Sequence, residues 1–192
     1  MQKIITDIDD TALNYTKGLL EFANIQYPHG QQFSNISDFL TSTHGYTSNE
    51  TTELIQTFNT SENFKHLEPL QGADTVLKNL HNDGVKISVI TACGDDKVTR
   101  ELRYYNLRNV FGDIFENIIF LPLGARKLYN LMPYMDRNPV FIEDSLIHYK
   151  DGVVLGFDSY MIKGPMNAKE IDDTNHFTHW DEFYKRYHEN HI

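Results

Sequence analysis

Residues 3–11 read KIITDIDDT, an apolar run that breaks abruptly into acid. Lys3–Asp9 is too short for a helix, is rich in isoleucine and ends in polar residues, the pattern of a strand buried on both faces. Val85–Ala92 (VKISVITA), Ile118–Pro122 (IIFLP) and Val140–Asp144 (VFIED) repeat that pattern, and Ser159–Lys163 (SYMIK) is a weaker fifth. Helical patterns over Asp74–Asn82, Asp96–Asn106 and Arg126–Met132 separate the later runs, and Asp83-Gly84 stops the first helix. Strands alternating with helices predict an α/β fold, a Rossmann-like parallel sheet of about five strands flanked by helices.

The gap between the first two strands is of another kind. Thr16–Tyr27, Ser34–Leu40 and Ser48–Phe58 read as short helices, Ser34 and Ser48 as N-caps, and Tyr27-Pro28-His29-Gly30 as a turn. Residues 15–67 are therefore expected to form a helical insertion, with 1–14 and 68–192 making the core. An insertion at the carboxyl end of a strand sits over the crevice where open α/β sheets bind ligands.

Composition narrows the chemistry. A chain of 192 residues with 40% hydrophobic and 12% aromatic side chains can bury a real core, which excludes wholesale disorder. Its 17 Lys and Arg against 27 Asp and Glu leave a formal charge of −10, unsuited to nonspecific binding of nucleic acid or anionic membrane. The single cysteine, Cys93, permits no intramolecular disulfide and no cysteine-built zinc site. With no apolar run long enough for a bilayer and no signal peptide visible, the expected location is cytoplasmic.

Polar residues gather at the carboxyl ends of the strands: Asp7, Asp9, Asp10 and Thr11 after the first, Thr91 and Ala92 after the second, Lys127 after the third, Glu143-Asp144 after the fourth. Two carboxylates about 4 Å apart repel by roughly 4 kcal/mol at an effective dielectric near 20. Four bare acids at one rim therefore need a cation or raised pKa values. An all-oxygen set suits a hard ion, and Mg²⁺ is favoured because it keeps waters and is often shared with phosphate. Lys127 and the Thr91 hydroxyl are donors for a phosphoryl group. A calcium loop starting at Asp7 fails, since its sixth and twelfth positions are Ala12 and Gly18, where Gly and Glu are required.

This ordered set resembles the haloacid dehalogenase (HAD) superfamily, whose Asp-x-Asp-x-Thr matches Asp7, Asp9 and Thr11. The strand-two hydroxyl of that family matches Thr91, its lysine Lys127 and its acidic pair Glu143-Asp144. The resemblance implies that Asp7 attacks phosphorus to form an aspartyl-phosphate, and that Asp9 protonates the leaving alcohol and then deprotonates water. It implies Mg²⁺ held by the Asp7 carboxylate, the Asp9 carbonyl and the Asp144 carboxylate, with Glu143 behind them. Thr91, Ala92 and Lys127 would bind phosphate oxygens. A narrower similarity, to the 5′(3′)-deoxyribonucleotidase-like (C-type 5′-nucleotidase) family, lies in Leu67–Ala73 (LEPLQGA), Ile162–Asn167 (IKGPMN) and Phe177–Phe183 (FTHWDEF). Thr91-Ala92-Cys93-Gly94-Asp95-Asp96 departs from the usual continuation of that family.

The expectation is thus a Mg²⁺-dependent phosphomonoesterase for small phosphate monoesters, nucleoside monophosphates foremost. A sugar- or organic-acid-phosphate phosphatase, a nucleic-acid 3′-phosphatase and a noncatalytic phosphate- or partner-binding relic remain alternatives, and a homodimer stays open. Other groups have plainer readings. Asp10, Asp95 and Asp96 read as helix-start or loop acids, and Cys93 as a small buried hydrophobe. His148, four residues past Asp144, reads as a surface or packing histidine, with a place facing the pocket as the alternative. Arg126 is a second candidate for phosphate. Phe22, Tyr27, Phe33, Phe39, Tyr46, Phe58 and Phe64 read mostly as insertion core, and Trp180, Phe183 and Tyr187 as one face of a C-terminal helix docked on the sheet.

Overall fold

A computed structural model of the chain describes residues 3–26, 48–164, 167–168 and 174–191. Six parallel strands form one sheet: β1 Lys3–Thr6, β2 Lys86–Thr91, β3 Phe115–Phe120, β4 Val140–Glu143, β5 Asp158–Ile162 and β6 His176–Phe177. Their order is β3-β2-β1-β4-β5-β6, so the chain runs outward on one side of β1 and then returns to run outward on the other. The sheet has six strands where about five were expected. β6 is two residues long, too short for any periodicity, and exists only through its pairing with Met161 and Ile162 of β5. β3 begins three residues before the apolar run that announced it, because an edge strand tolerates the exposed Glu116 and Asn117.

All four residues of β1 are buried, and their alternation builds the two faces. Ile4 packs with Ile87, Val89, Val140 and Ile142 in the larger cluster. Ile5 faces the other way, with Ile90, Phe141 and Phe157. The helices are α1 Tyr15–Gln26, α2 Ser48–Asn59, α3 Ala73–Asn82, α4 Lys97–Phe111, α5 Leu128–Leu131, α6 Leu146–Val154 and α7 Trp180–His191, with 3₁₀ turns at Glu62–His66 and Met132–Arg137. α6 is a helix that apolar spacing does not mark, since Asp151 and Gly152 interrupt it. Trp180, Phe183 and Tyr187 are fully buried, so α7 docks as its face predicts.

The helical segment between β1 and β2 contributes Leu19, Phe22, Leu54, Phe58 and Phe64 to the same cluster as Ile4 and Ile8. Apolar contact therefore runs without a break from this segment to the sheet. Phe58 and Phe64 meet edge to face at 5.7 Å, and Tyr15 meets Phe58 at 5.5 Å. Phe22, Phe58 and Phe64 are buried among one another, as core residues should be. The expected helix Ser34–Leu40, the turn at Tyr27–Gly30, and Tyr27, Phe33, Phe39 and Tyr46 lie outside the described residues. Among the described residues no helix is long and apolar enough to cross a membrane.

Candidate active site

The site forms at the carboxyl ends of β1 and β4, where the direction of strand succession reverses and the loops diverge to leave a crevice. The ladder still holds at Asp7, whose amide donates to the Ile142 carbonyl at 2.9 Å. Beyond it the chain curls: the Ile8 carbonyl accepts from the amides of Thr11, Ala12 and Leu13 at 3.3, 2.8 and 2.9 Å. Asp10 sits in the left-handed region at φ 52. Its carboxylate accepts from the Thr16 amide and hydroxyl and so starts α1, the helix-start role expected of it.

Asp7, Glu143 and Asp144 converge so that one oxygen from each lies within 4.8 Å of the others. Lys127, the residue before α5, reaches into this group with its Nζ 2.7 Å from Asp7 Oδ1 and 2.7 Å from Glu143 Oε1. Burial alone would depress the lysine, but Asp7 and Glu143 overcome it and hold Lys127 above its ordinary value. Burial, reinforced by repulsion from Asp7, pushes both Glu143 and Asp144 well above the usual carboxylate range. Three carboxylates and one ammonium leave the cluster near −2 when ionised, and every candidate ligand atom is oxygen. Charge deficit and donor type both fit a hard divalent cation. Asp144 is braced for such a load: its amide donates to Glu143 Oε2 at 3.1 Å, and Thr11 Oγ1 donates to its carboxylate at 3.3 Å. The Asn167 amide group donates to the Asp144 carbonyl at 2.7 Å and to the Ile162 carbonyl at 2.8 Å.

A concavity of about 220 Å³ opens over this group, lined by Asp7, Asp9, Asp10, Tyr15, Ala92, Lys127, Glu143, Asp144, Ser145 and His148. Thr91 closes β2 fully buried and is not part of that lining, whereas Ala92 is. Asp9 lines it too, yet its carboxylate stands apart from the three-acid cluster and pairs with the fully buried Arg103. Burial pushes Asp9 up to about 6, against the pull of Arg103. A larger concavity of about 270 Å³ beside α1 contains Lys17, Glu21 and Glu68, whose charges are paired with one another.

Several plain readings are settled by position. Asp96 caps α4, its carboxylate accepting from the Thr99 amide at 3.0 Å, and Asp95 is exposed. Arg126 is turned away from phosphate duty, gripping the buried Asp151 through bonds of 2.7–3.1 Å. His148 lines the concavity, because the first turns of α6 bring it beside the strand-end acids. Cys93 is buried, and burial raises its thiol to about 11. Arg103 was missed because an arginine inside a helix gives no sequence signal that separates a buried side chain from a solvated one. Tyr15 and Asn167 were likewise without a role, and each has a partner distant in sequence: Asn167 reaches the Asp144 carbonyl, and Tyr15 donates its hydroxyl to Asn59 Oδ1 at 2.9 Å.

No curated protein matches the chain. Among solved structures, a haloacid dehalogenase-like family hydrolase from Streptococcus pneumoniae aligns over 97% of this chain and 98% of its own, with a TM-score of 0.69 at 12% identity. A protein of Lactobacillus delbrueckii subsp. bulgaricus, provisionally designated a phosphoglycolate phosphatase, aligns over 96% and 97% with a TM-score of 0.66 at 13% identity. YfnB of Bacillus subtilis, a provisionally designated HAD-hydrolase solved with magnesium bound, aligns over 100% and 99% with a TM-score of 0.63 at 14% identity. These likenesses speak for the fold. The model of the haloacid dehalogenase-like hydrolase family matches residues 4–118, more than half of the sequence, and the chain belongs to that family.

Proposed function

We propose that the protein is a phosphomonoesterase working through an aspartyl-phosphate on Asp7. The observation that carries this reading is the buried Lys127, 2.7 Å from both Asp7 and Glu143, with Asp144 completing an all-oxygen cluster at the strand ends. A carboxylate oxygen of Asp7 attacks phosphorus as the bond from phosphorus to the leaving oxygen breaks. Asp9 gives that oxygen its proton, then takes a proton from the water that attacks the aspartyl-phosphate and frees Asp7 and inorganic phosphate. A carboxyl poised at about 6 serves both half-reactions near neutral pH. Lys127 restrains Asp7 and, with Ala92, binds phosphate oxygens, whereas Thr91, buried behind the lining, reaches phosphate only if its hydroxyl is uncovered on binding. Asp7 and Asp144, with the Asp9 carbonyl, would hold Mg²⁺, and Glu143 steadies them through Lys127. The charge neutralisation on the phosphoryl group would be what Mg²⁺ supplies when held there. Residues 15–67 act as a helical cap over the crevice of the 1–14 and 68–192 core.

The substrate class we favour is a nucleoside monophosphate. Three segments similar to the deoxyribonucleotidase family support it, and two of them brace the site: Asn167 holds the Asp144 carbonyl, and Trp180 Nε1 donates to the Thr11 carbonyl at 2.9 Å. A sugar or organic-acid phosphate is the second reading, favoured by the phosphoglycolate phosphatase designation of one structural relative. Hydrolysis of dUMP, dTMP, phosphoglycolate and hexose phosphates, each with Mg²⁺ and with EDTA, separates the two. Asp7→Asn is expected to fall to the EDTA background on every substrate, and full turnover by that variant refutes the nucleophile. Mg²⁺-dependent binding of these esters without hydrolysis would identify a noncatalytic relic.

A further inference from the structure

We propose that Arg103 is a positioning residue for the leaving-group acid, holding the Asp9 carboxylate apart from the cation cluster and free for proton transfer. The inference rests on the phosphomonoesterase reading and assigns a residue that reading does not use. Arg103 lies on α4 with no exposed surface, and Asp9, 94 residues away, is its ion-pair partner. Its guanidinium is fixed from two further sides. The Phe64 ring lies under it, 3.9 Å from ring centroid to guanidinium carbon, and Asn106 Oδ1 is 3.4 Å from Nη1. Asn106 is itself tied to the Leu67 carbonyl at 2.9 Å. The fork that meets Asp9 is therefore preorganised by α4 and by the 3₁₀ turn of the helical segment.

What the pairing accomplishes follows from what it prevents. Asp9 is two residues from Asp7, and an unrestrained carboxylate there would be drawn to any cation bound by Asp7, Glu143 and Asp144. Those three bring oxygens within 4.8 Å of one another, and Asp9 is not among them. Arg103 does not line the concavity, so it acts through Asp9 and not on substrate. Stability is a poor reason to keep such a pair, since a buried ion pair is often replaceable by apolar side chains at no loss. Orientation of the acid accounts for it.

An acid matters in proportion to how badly the leaving group needs a proton. Phenyl phosphate and 4-nitrophenyl phosphate have nearly the same shape. Phenolate, with a conjugate acid near pKa 10 as in tyrosine, leaves poorly, whereas nitrophenolate is a stabilised anion that leaves unaided. kcat/KM for both esters is measured with Mg²⁺ for the wild-type protein, Arg103→Met and Arg103→Lys. A general acid contributes about 10²–10⁴-fold, so the ratio of phenyl to 4-nitrophenyl activity is expected to fall at least about tenfold in Arg103→Met. Arg103→Lys should restore part of it. A uniform loss on both esters, or an unchanged ratio, overturns the inference and leaves Arg103 a structural residue. Should circular dichroism show Arg103→Met unfolded, Arg103→Lys decides alone, a smaller fall in the ratio supporting the role and a constant ratio refuting it. A wild-type protein that hydrolyses neither ester, nor dUMP, dTMP, phosphoglycolate or a hexose phosphate, overturns the phosphomonoesterase reading itself, and the inference falls with it.

Discussion

Replacing Lys127 by Met keeps an unbranched side chain, one atom shorter, and removes the cation set between Asp7 and Glu143, 2.7 Å from each. Three carboxylates whose oxygens lie within 4.8 Å are then left without it. At an effective dielectric near 20, each such pair repels by roughly 3.5 kcal/mol, enough to drive proton uptake onto the cluster in the absence of metal. Proton uptake caps the penalty. A carboxyl with an ordinary value of 4.5, that of Glu143, costs at most about 1.4 kcal/mol per pH unit above it when the fold keeps it neutral. One proton taken up therefore costs up to about 5 kcal/mol at pH 8 and about 1.4 kcal/mol at pH 5.5. The sign follows from linkage: a folded acid with a raised pKa binds more protons than the unfolded chain, so stability falls as pH rises. At about 2–4 °C per kcal/mol for a chain of this size, Lys127→Met in EDTA should melt roughly 10–20 °C below wild type at pH 8. The deficit should shrink to roughly 3–6 °C at pH 5.5. Thermal unfolding followed by circular dichroism measures both. A deficit that is absent at pH 8, or the same at both pH values, refutes the electrostatic account of the cluster.

Three further outcomes are expected. Mg²⁺ at a hundred times its dissociation constant should stabilise the metal-free protein by about 2.7 kcal/mol, a rise of roughly 5–10 °C in Tm at about 2–4 °C per kcal/mol. Asp144→Asn should lose most of that rise, and a flat wild-type response argues against a cation socket. Trp180→Phe strands the Thr11 carbonyl, which accepts from the indole at 2.9 Å in a buried setting. A loss of about 1–3 kcal/mol should appear in the urea midpoint, and an unchanged midpoint denies the bond its role. Because burial holds the Cys93 thiol near 11, roughly one molecule in a thousand carries the thiolate at pH 8. Iodoacetamide should label the native protein far more slowly than the urea-unfolded chain, and comparable rates would place the thiol in an exposed setting.

Much of this molecule is local in origin and so was legible in order along the chain. Ile4-Ile5 before Asp7, and Phe141-Ile142 before Glu143-Asp144, announce strands buried on both faces that end in acid, because an apolar run and its polar stop need no knowledge of the rest of the chain. Asp96 as a cap and Trp180, Phe183 and Tyr187 as one helical face follow from spacing alone. Elements held only by a neighbour were not legible. β6 depends on β5, the start of β3 depends on being at an edge, and α6 is kept helical by its packing on β4 and β5.

At the site the division is the same. Residue type and order along the chain nominate Asp7, Asp9, Lys127, Glu143 and Asp144 as candidates for the chemistry and predict that an acidic rim needs a cation. Which carboxylate meets which cation is decided by tertiary structure. Lys127 goes to Asp7 and Glu143, Arg103 goes to Asp9, and Arg126, next to Lys127 in sequence, turns to Asp151. Partner choice between charges is a matter of ångströms and burial, and these pairs are separated by up to 120 residues (Asp7 to Lys127). No periodicity along the chain encodes such distances. They arise only when the sheet has set its strands side by side.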